Sequence, residues 1–255
     1  MTITATSWDE YIAALRKVND TAAQKIMSFL SSYEPWELEV PEVMREIVSF
    51  AYGVSTKYGE AAAELACEMY DAMGAATGLA LPPALPAATA SYGEVARTVY
   101  GTLKYGNDEI VSAAVGRLVK TAGVDTTMQN AIRDGAQWAW IPRGDTCAFC
   151  ITLASQGWVN ASKKALKNGH AEHIHANCDC TYAIRFNTST EVEGYDPDEY
   201  LKMYEDAPGR NSKDKINSMR REFYAENKEE INAKKRDNYE KRKELNSSEA
   251  EETNV

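Results

Sequence analysis

The 255-residue sequence lacks any apolar run near the ~18 residues that would cross a bilayer, so a membrane-spanning protein is not expected. It lacks a basic excess: 28 Lys and Arg stand against 38 Asp and Glu. That balance argues against wrapping nucleic acid, which needs a basic face to release counterions. Met1–Ser7 carries neither a basic nor an apolar segment of the secretory type, so the expectation is a chain that is intracellular when made. Histidine and cysteine are scarce, at three and five. At this length a core forms without disulfides or metal, so their placement needs a local explanation.

What is present first is helical periodicity. Trp8, Tyr11, Ile12, Leu15, Val18, Ala22, Ile26, Phe29 and Leu30 form one stripe, with Ser7–Glu10 as a capping box. Val40, Met44, Ile47, Val48, Ala51 and Tyr52 form a second, and residues 61–73 a third. Leu79–Ala87 carries three prolines in five positions and reads as an extended linker. Helical patterns resume over 92–103, 108–121 and 124–134, and Gly135 stands where helices often end. Trp138–Ile141 and Thr181–Phe186 then alternate like strands. Asp196-Pro197 opens a short helix, and residues 213–243 read as a long charged helix with a thin stripe of Ile216, Met219, Phe223 and Ile231. The end, 246–255, reads as disordered. The fold expected is mostly α with a small α+β module: a helical region over 1–137, a hairpin-containing module over 138–194, and a charged tail over 195–255.

Seven of the eight Cys and His residues fall between 147 and 180. The eighth, Cys67, lies among Ala and Leu and reads as a small buried hydrophobe. Cys147-x2-Cys150 is followed by His175-x2-Cys178-x-Cys180, the donor types and spacing of a tetrahedral zinc site. Five candidates compete for four places. Successive thiols of a Cys-x-Cys pair in an extended chain sit about 6–7 Å apart, so one of Cys178 and Cys180 is spare. The favoured set is Cys147, Cys150 and His175 with one of those two. Reduced thiols without metal, or disulfides, are the alternatives; His170 and His173 read as loop residues. If the strands pair antiparallel, the end of the first lies beside the start of the second, and the two clusters meet. A thioredoxin-like role for Cys147-Ala-Phe-Cys150 lacks its βαβ surroundings. His170-Ala-Glu172 follows the Cys pair instead of preceding it, against the order in zinc deaminases. A site built from Cys178, His175 and Asp179 would need adjacent residues that diverge to converge. Zinc held by four protein ligands leaves no open position for catalysis, so a structural site is expected.

The run Ile141-Pro-Arg-Gly-Asp-Thr-Cys-Ala-Phe-Cys-Ile-Thr-Leu-Ala-Ser-Gln-Gly-Trp, with His175-Ala-Asn-Cys-Asp-Cys after it, resembles the tailed-phage Mu F-like minor head proteins, also called head morphogenesis proteins. The resemblance covers about 50 residues, and Asp179 stands where the family often has Arg. It implies a non-enzymatic component of the virion, inside the procapsid or capsid, associated with the portal protein. It implies a part in head morphogenesis and in DNA packaging or ejection. Some relatives carry a capsid maturation protease annotation, so a protease or other hydrolase is the alternative, with Ser155 and Cys178 as the nucleophiles to test. A zinc-dependent nucleic-acid-binding module is a second alternative. It is disfavoured because residues 147–194 carry four basic and four acidic groups. The tail from 210 to 243, with 12 basic and 7 acidic groups, suits a protein partner better than packaged DNA.

Overall fold

The computed structural model describes residues 2–3, 5–34, 37–103, 108–142, 146–162, 180–229, 232–233 and 236. Its body is four helices: α1 (Ala5–Leu30), α2 (Pro41–Ala76), α3 (Tyr92–Leu103) and α4 (Asp108–Asp134). α2 and α4 form the main packing pair, with α1 and α3 laid against both. The expected stripe of α1 is its inner face: Trp8, Ile12, Leu15, Ala22, Ile26 and Leu30 are buried. α1 begins at Ala5, so Ser7 is already inside the helix and the capping box expected there is not its start. A true box appears at α3, where the Ser91 amide donates to Glu94 Oε2 at 2.8 Å.

Two pairs of expected segments are single helices. α2 runs 36 residues, about 54 Å, through Gly53 and Gly59, and α4 runs 27 through Gly123. Each interior glycine costs about 1 kcal/mol of propensity, which packing must offset. At Gly123 the reason is close approach: a Cβ there would sit 3.0 Å from the Ala62 carbonyl oxygen of α2. α4 ends as expected, with Gly135 at φ 67° and the Ala136 amide returning to Ala131 O at 2.9 Å.

The proline segment is extended, as its composition requires, but it is a strap fixed to the body. It lacks a partner strand, so its polar backbone must be met by side chains. The Ala84 amide donates to Asp71 Oδ1, the Leu85 amide to Asn130 Oδ1, and the buried Ala87 amide to Thr126 Oγ1, all within 2.9 Å. Asn130 Nδ2 returns a bond to Leu85 O at 2.8 Å. Arg133 donates to Pro83 O and Pro82 O and forms a two-pronged pair with Asp134. Asp134 also accepts from Tyr70 Oη at 2.8 Å. The Arg133 guanidinium holds the Asp134 carboxyl below the usual carboxylate range.

A three-stranded antiparallel sheet, order β3-β2-β4, follows: β2 (Gln137–Ile141), β3 (Val159–Asn160) and β4 (Thr181–Arg185). β2 and β4 match the expected strands; β3, two residues long, carries too little pattern to be legible. Trp140 faces Tyr182 and Trp138 faces Ile184 across the ladder. Both Trp rings meet the Tyr182 ring edge-on, at centroid distances of 4.6 and 4.8 Å. The far end of the sheet is polar: Gln137 bridges Asn160 on one side and Arg185 on the other. Arg185 lies over the Trp158 ring at 4.6 Å. β1 (Thr2–Ile3) pairs in parallel with β5 (Glu191–Val192). One apolar core runs from the body into the sheet, from Trp8 through Met128 to Trp140 and Ile184.

Three further helices are α5 (Ala148–Ala154), α6 (Pro197–Asp206) and α7 (Ser212–Glu226). α6 starts as its sequence predicts, with Asp196 Oδ1 accepting from the Asp198 amide at 2.9 Å. The expected long helix is seen as α7; most of the remainder to 243, Ile231 included, and the end at 246–255 lie outside the described residues.

Candidate metal centre

The site is built from the two chain segments that leave the paired strands at one end. Ile141, the last residue of β2, lies opposite Thr181, the first of β4. Cys147 and Cys150 therefore follow β2, and Cys180 immediately precedes β4, at the same end of the sheet. The sequence expectation of antiparallel pairing holds.

Cys147 is the N-cap of α5, and its Sγ accepts from the Cys150 amide at 3.4 Å. The Cys-x2-Cys spacing makes this turn: the first sulfur sits where a Ser or Asp oxygen would cap a helix. A sulfur that accepts an amide proton at a helix start is placed to carry negative charge, the form in which cysteine binds metal. Cys150 lies on the inner side of α5 with Leu153 and Ala154, 1 % exposed, and Cys180 is 0 % exposed. Cys150 lies within electrostatic reach of Tyr182. Burial pushes the Tyr182 hydroxyl above its ordinary range, and the neighbouring Asp125 and Cys150 add to it. Asp125, on α4, is itself raised to about 6 by burial, with Glu94 contributing.

His175 and Cys178, and with them His170, His173 and Asp179, lie outside the described residues. Among the described residues no group of three or more His, Cys, Asp or Glu is placed to hold a metal ion. Cys147, Cys150 and Cys180 thus do not make a three-ligand group by themselves. Cys67 is half-buried on α2 instead of being a core residue, and burial raises its thiol. Ser155 closes the C-terminal turn of α5 and donates its hydroxyl to Thr152 O at 2.9 Å.

Two residues of this neighbourhood carry no sequence signal as site residues. Tyr182 is legible only as one position of a strand. Tyr195, whose hydroxyl donates to Ala154 O at the end of α5 at 2.8 Å, lies in a loop without a motif. Asp125 does leave a trace, as a lone acid between Val119 and Met128 on a helix of small and apolar residues.

No helix among the described residues is long and apolar enough to cross a membrane. A family model described as "VG15 protein" matches residues 2–207, which spans the body, the sheet and α6. No curated protein and no solved structure matches the chain.

Proposed function

Because the chain belongs to the VG15 protein family, a family of viral, phage gene products, we propose that it is a minor head protein of a tailed phage. It acts as a non-enzymatic component at the portal or on the inner capsid during head morphogenesis and DNA packaging or ejection. One observation carries the reading: the β2–β4 pairing sets the Cys147–Cys150 turn and Cys180, three of the five positions that match the Mu F-like pattern, at one end of one sheet. The family match supports it by covering the body and the sheet together.

The donor types of the two clusters are those of a structural zinc site. Cys147 and Cys150 supply two sulfurs from one turn, and His175 supplies a nitrogen. Cys178 or Cys180 supplies the fourth ligand. Bound there, zinc supplies a closed four-ligand cross-link between the two segments and no reactive position. The chain's own part is to hold Cys147 at the start of α5 and to bury Cys150 against the sheet. Of the two residues nominated for the hydrolase alternative, Ser155 donates its hydroxyl to Thr152 O and Cys178 lies outside the described residues.

The test is quantitative mass spectrometry of purified procapsids and virions of a phage encoding this chain, with cross-linking to the portal. A few copies per particle, cross-linked to the portal, are expected. Absence from both kinds of particle overturns the proposal. Loss of capsid-subunit cleavage in a Ser155→Ala or Cys178→Ala phage would replace it with the protease reading.

A further inference from the structure

We propose that the strap is where a second copy of this chain docks: Leu85 and its neighbouring prolines in each copy pack on the exposed Tyr92 and Tyr52 rings of the other, about a two-fold axis. The contact depends on neither a metal nor the head-protein reading. Its first half is a preformed ligand. Proline fixes φ at residues 82, 83 and 86, and the residue before each is confined to extended conformations. The Asp71, Asn130 and Thr126 side chains take the amides of Ala84, Leu85 and Ala87, and Arg133 takes the carbonyls of Pro82 and Pro83. The segment is already ordered by folding, so binding it costs little further entropy. What it turns to solvent is apolar. Pro82, Pro83 and Pro86 are exposed. Leu85, 64 % exposed, is the barest large apolar side chain among the described residues.

The second half stands at the far end of the same segment. Tyr92 opens α3 directly after the strap, and its ring meets that of Tyr52 on α2 edge-on at 5.4 Å. Both rings are exposed. Aromatic faces are what extended proline-rich segments dock on, because the flat rings pack along a chain that is already straight. No chain can join its own halves, since a segment fixed to the body holds Leu85 and Tyr92 apart. Turned antiparallel about an axis between Ala88 and Thr89, two straps set Leu85 of each copy opposite Tyr92 of the other. Ala88, at the centre, is exposed and small enough for close approach.

Charge selects a copy of this chain as the occupant. The net charge is −10, so two copies repel wherever their acidic surfaces meet. Residues 72–93 carry no charged side chain, the longest such run in the sequence, and both halves of the contact except Tyr52 lie in it. A charged partner of either sign finds little to pair with at its borders. Asp71 accepts from the Ala84 amide, Glu94 from Ser91, and Asp134 is paired with Arg133. A second copy meets there without opposing like charges.

The experiment is sedimentation velocity on the full chain over a range of concentrations and salt. A monomer–dimer equilibrium is expected, and it tightens with salt, which screens the repulsion between two acidic copies. Leu85→Asp and Tyr92→Ser, both at exposed side chains, are each expected to weaken it at least about tenfold with the melting curve unchanged. Each variant alone breaks both reciprocal contacts. A mixture of the two restores one, and is expected to associate more tightly than either. A photo-cross-linking residue at position 88, in an otherwise unaltered chain, should join residues 85–92 of the other copy in an isotope-mixed sample. A chain still monomeric at about 1 mM overturns the proposal and leaves the strap to a different partner. So does a dimer that survives both substitutions, a mixture no tighter than its parts, or cross-links between copies that fall only outside 85–92.

Discussion

The strap and α5 are both short segments that cannot stand alone, and the body and the sheet hold them by different means. Four side chains of α2 and α4, namely Asp71, Thr126, Asn130 and Arg133, meet the strap's backbone. Those four stand on long helices that pack on each other. α5 is held at its N-terminus by a sulfur cap and at its C-terminus by Tyr195. The body closes its irregular segment with groups it already orders for its own core. The sheet region holds its irregular segment by a sulfur cap at one end and a loop tyrosine hydroxyl at the other. The difference predicts that the two regions fail under different insults.

The largest effect that separates them is Cys150→Ala. If zinc ties the two segments, removing a ligand forfeits several kcal/mol of folding energy, ~5 or more. Thermal melting should show an early transition for the sheet region and a retained one for the helical body. A wild-type melting curve would remove the metal from the account. Gly123→Leu attacks the other side of the comparison. Its side chain would start 3.0 Å from Ala62 O, so α2 and α4 must separate, at about 3 kcal/mol. Denaturant unfolding should report that loss with zinc content unaltered; a neutral result would mean that the α2–α4 seam is soft.

Asn130→Ala tests the strap. It strands the Leu85 amide and carbonyl together, for about 2 kcal/mol. Proteolysis within 79–90 should accelerate, and resistance equal to the parent would show that the other clamps suffice. Asp125→Asn gives the smallest effect and the one with a pH signature. Its folded value, about 6, lies above the unfolded value near 3.8. The ionised carboxyl therefore opposes folding: stability falls as pH rises from about 4 to 6 and stays reduced above that. Asparagine should stabilise the chain by about 1–2 kcal/mol at pH 7.5 and by nothing at pH 4. A gain equal at both values would place the effect outside ionisation.

Much of this fold was legible as pattern. The α1 stripe, α3, the β2 and β4 strands and the Asp196-Pro197 start were readable because each rests on local periodicity or capping. The breaks placed between 52 and 61 and between 121 and 124 were not real. Glycine lowers helix propensity locally, whereas Gly123 serves a contact with Ala62, 61 positions away in the chain. Likewise the prolines announced an extended segment but not the side chains that would clamp it. In the site, the spacing located Cys147 as the first residue of a turn. The Tyr195 mooring was invisible because it joins a loop hydroxyl to a carbonyl 41 residues earlier.

The strap also has a consequence for synthesis. Its clamps come from residues as far as 51 positions downstream, at Arg133. α1 and α2 leave the ribosome long before those groups exist. Until α4 emerges, Asp71 on α2 is the one of these clamps already made, and the facing surface of α2 lies open. Residues up to Arg133 must therefore be translated before the strap is fully fixed to the body, which makes its docking a late event in synthesis.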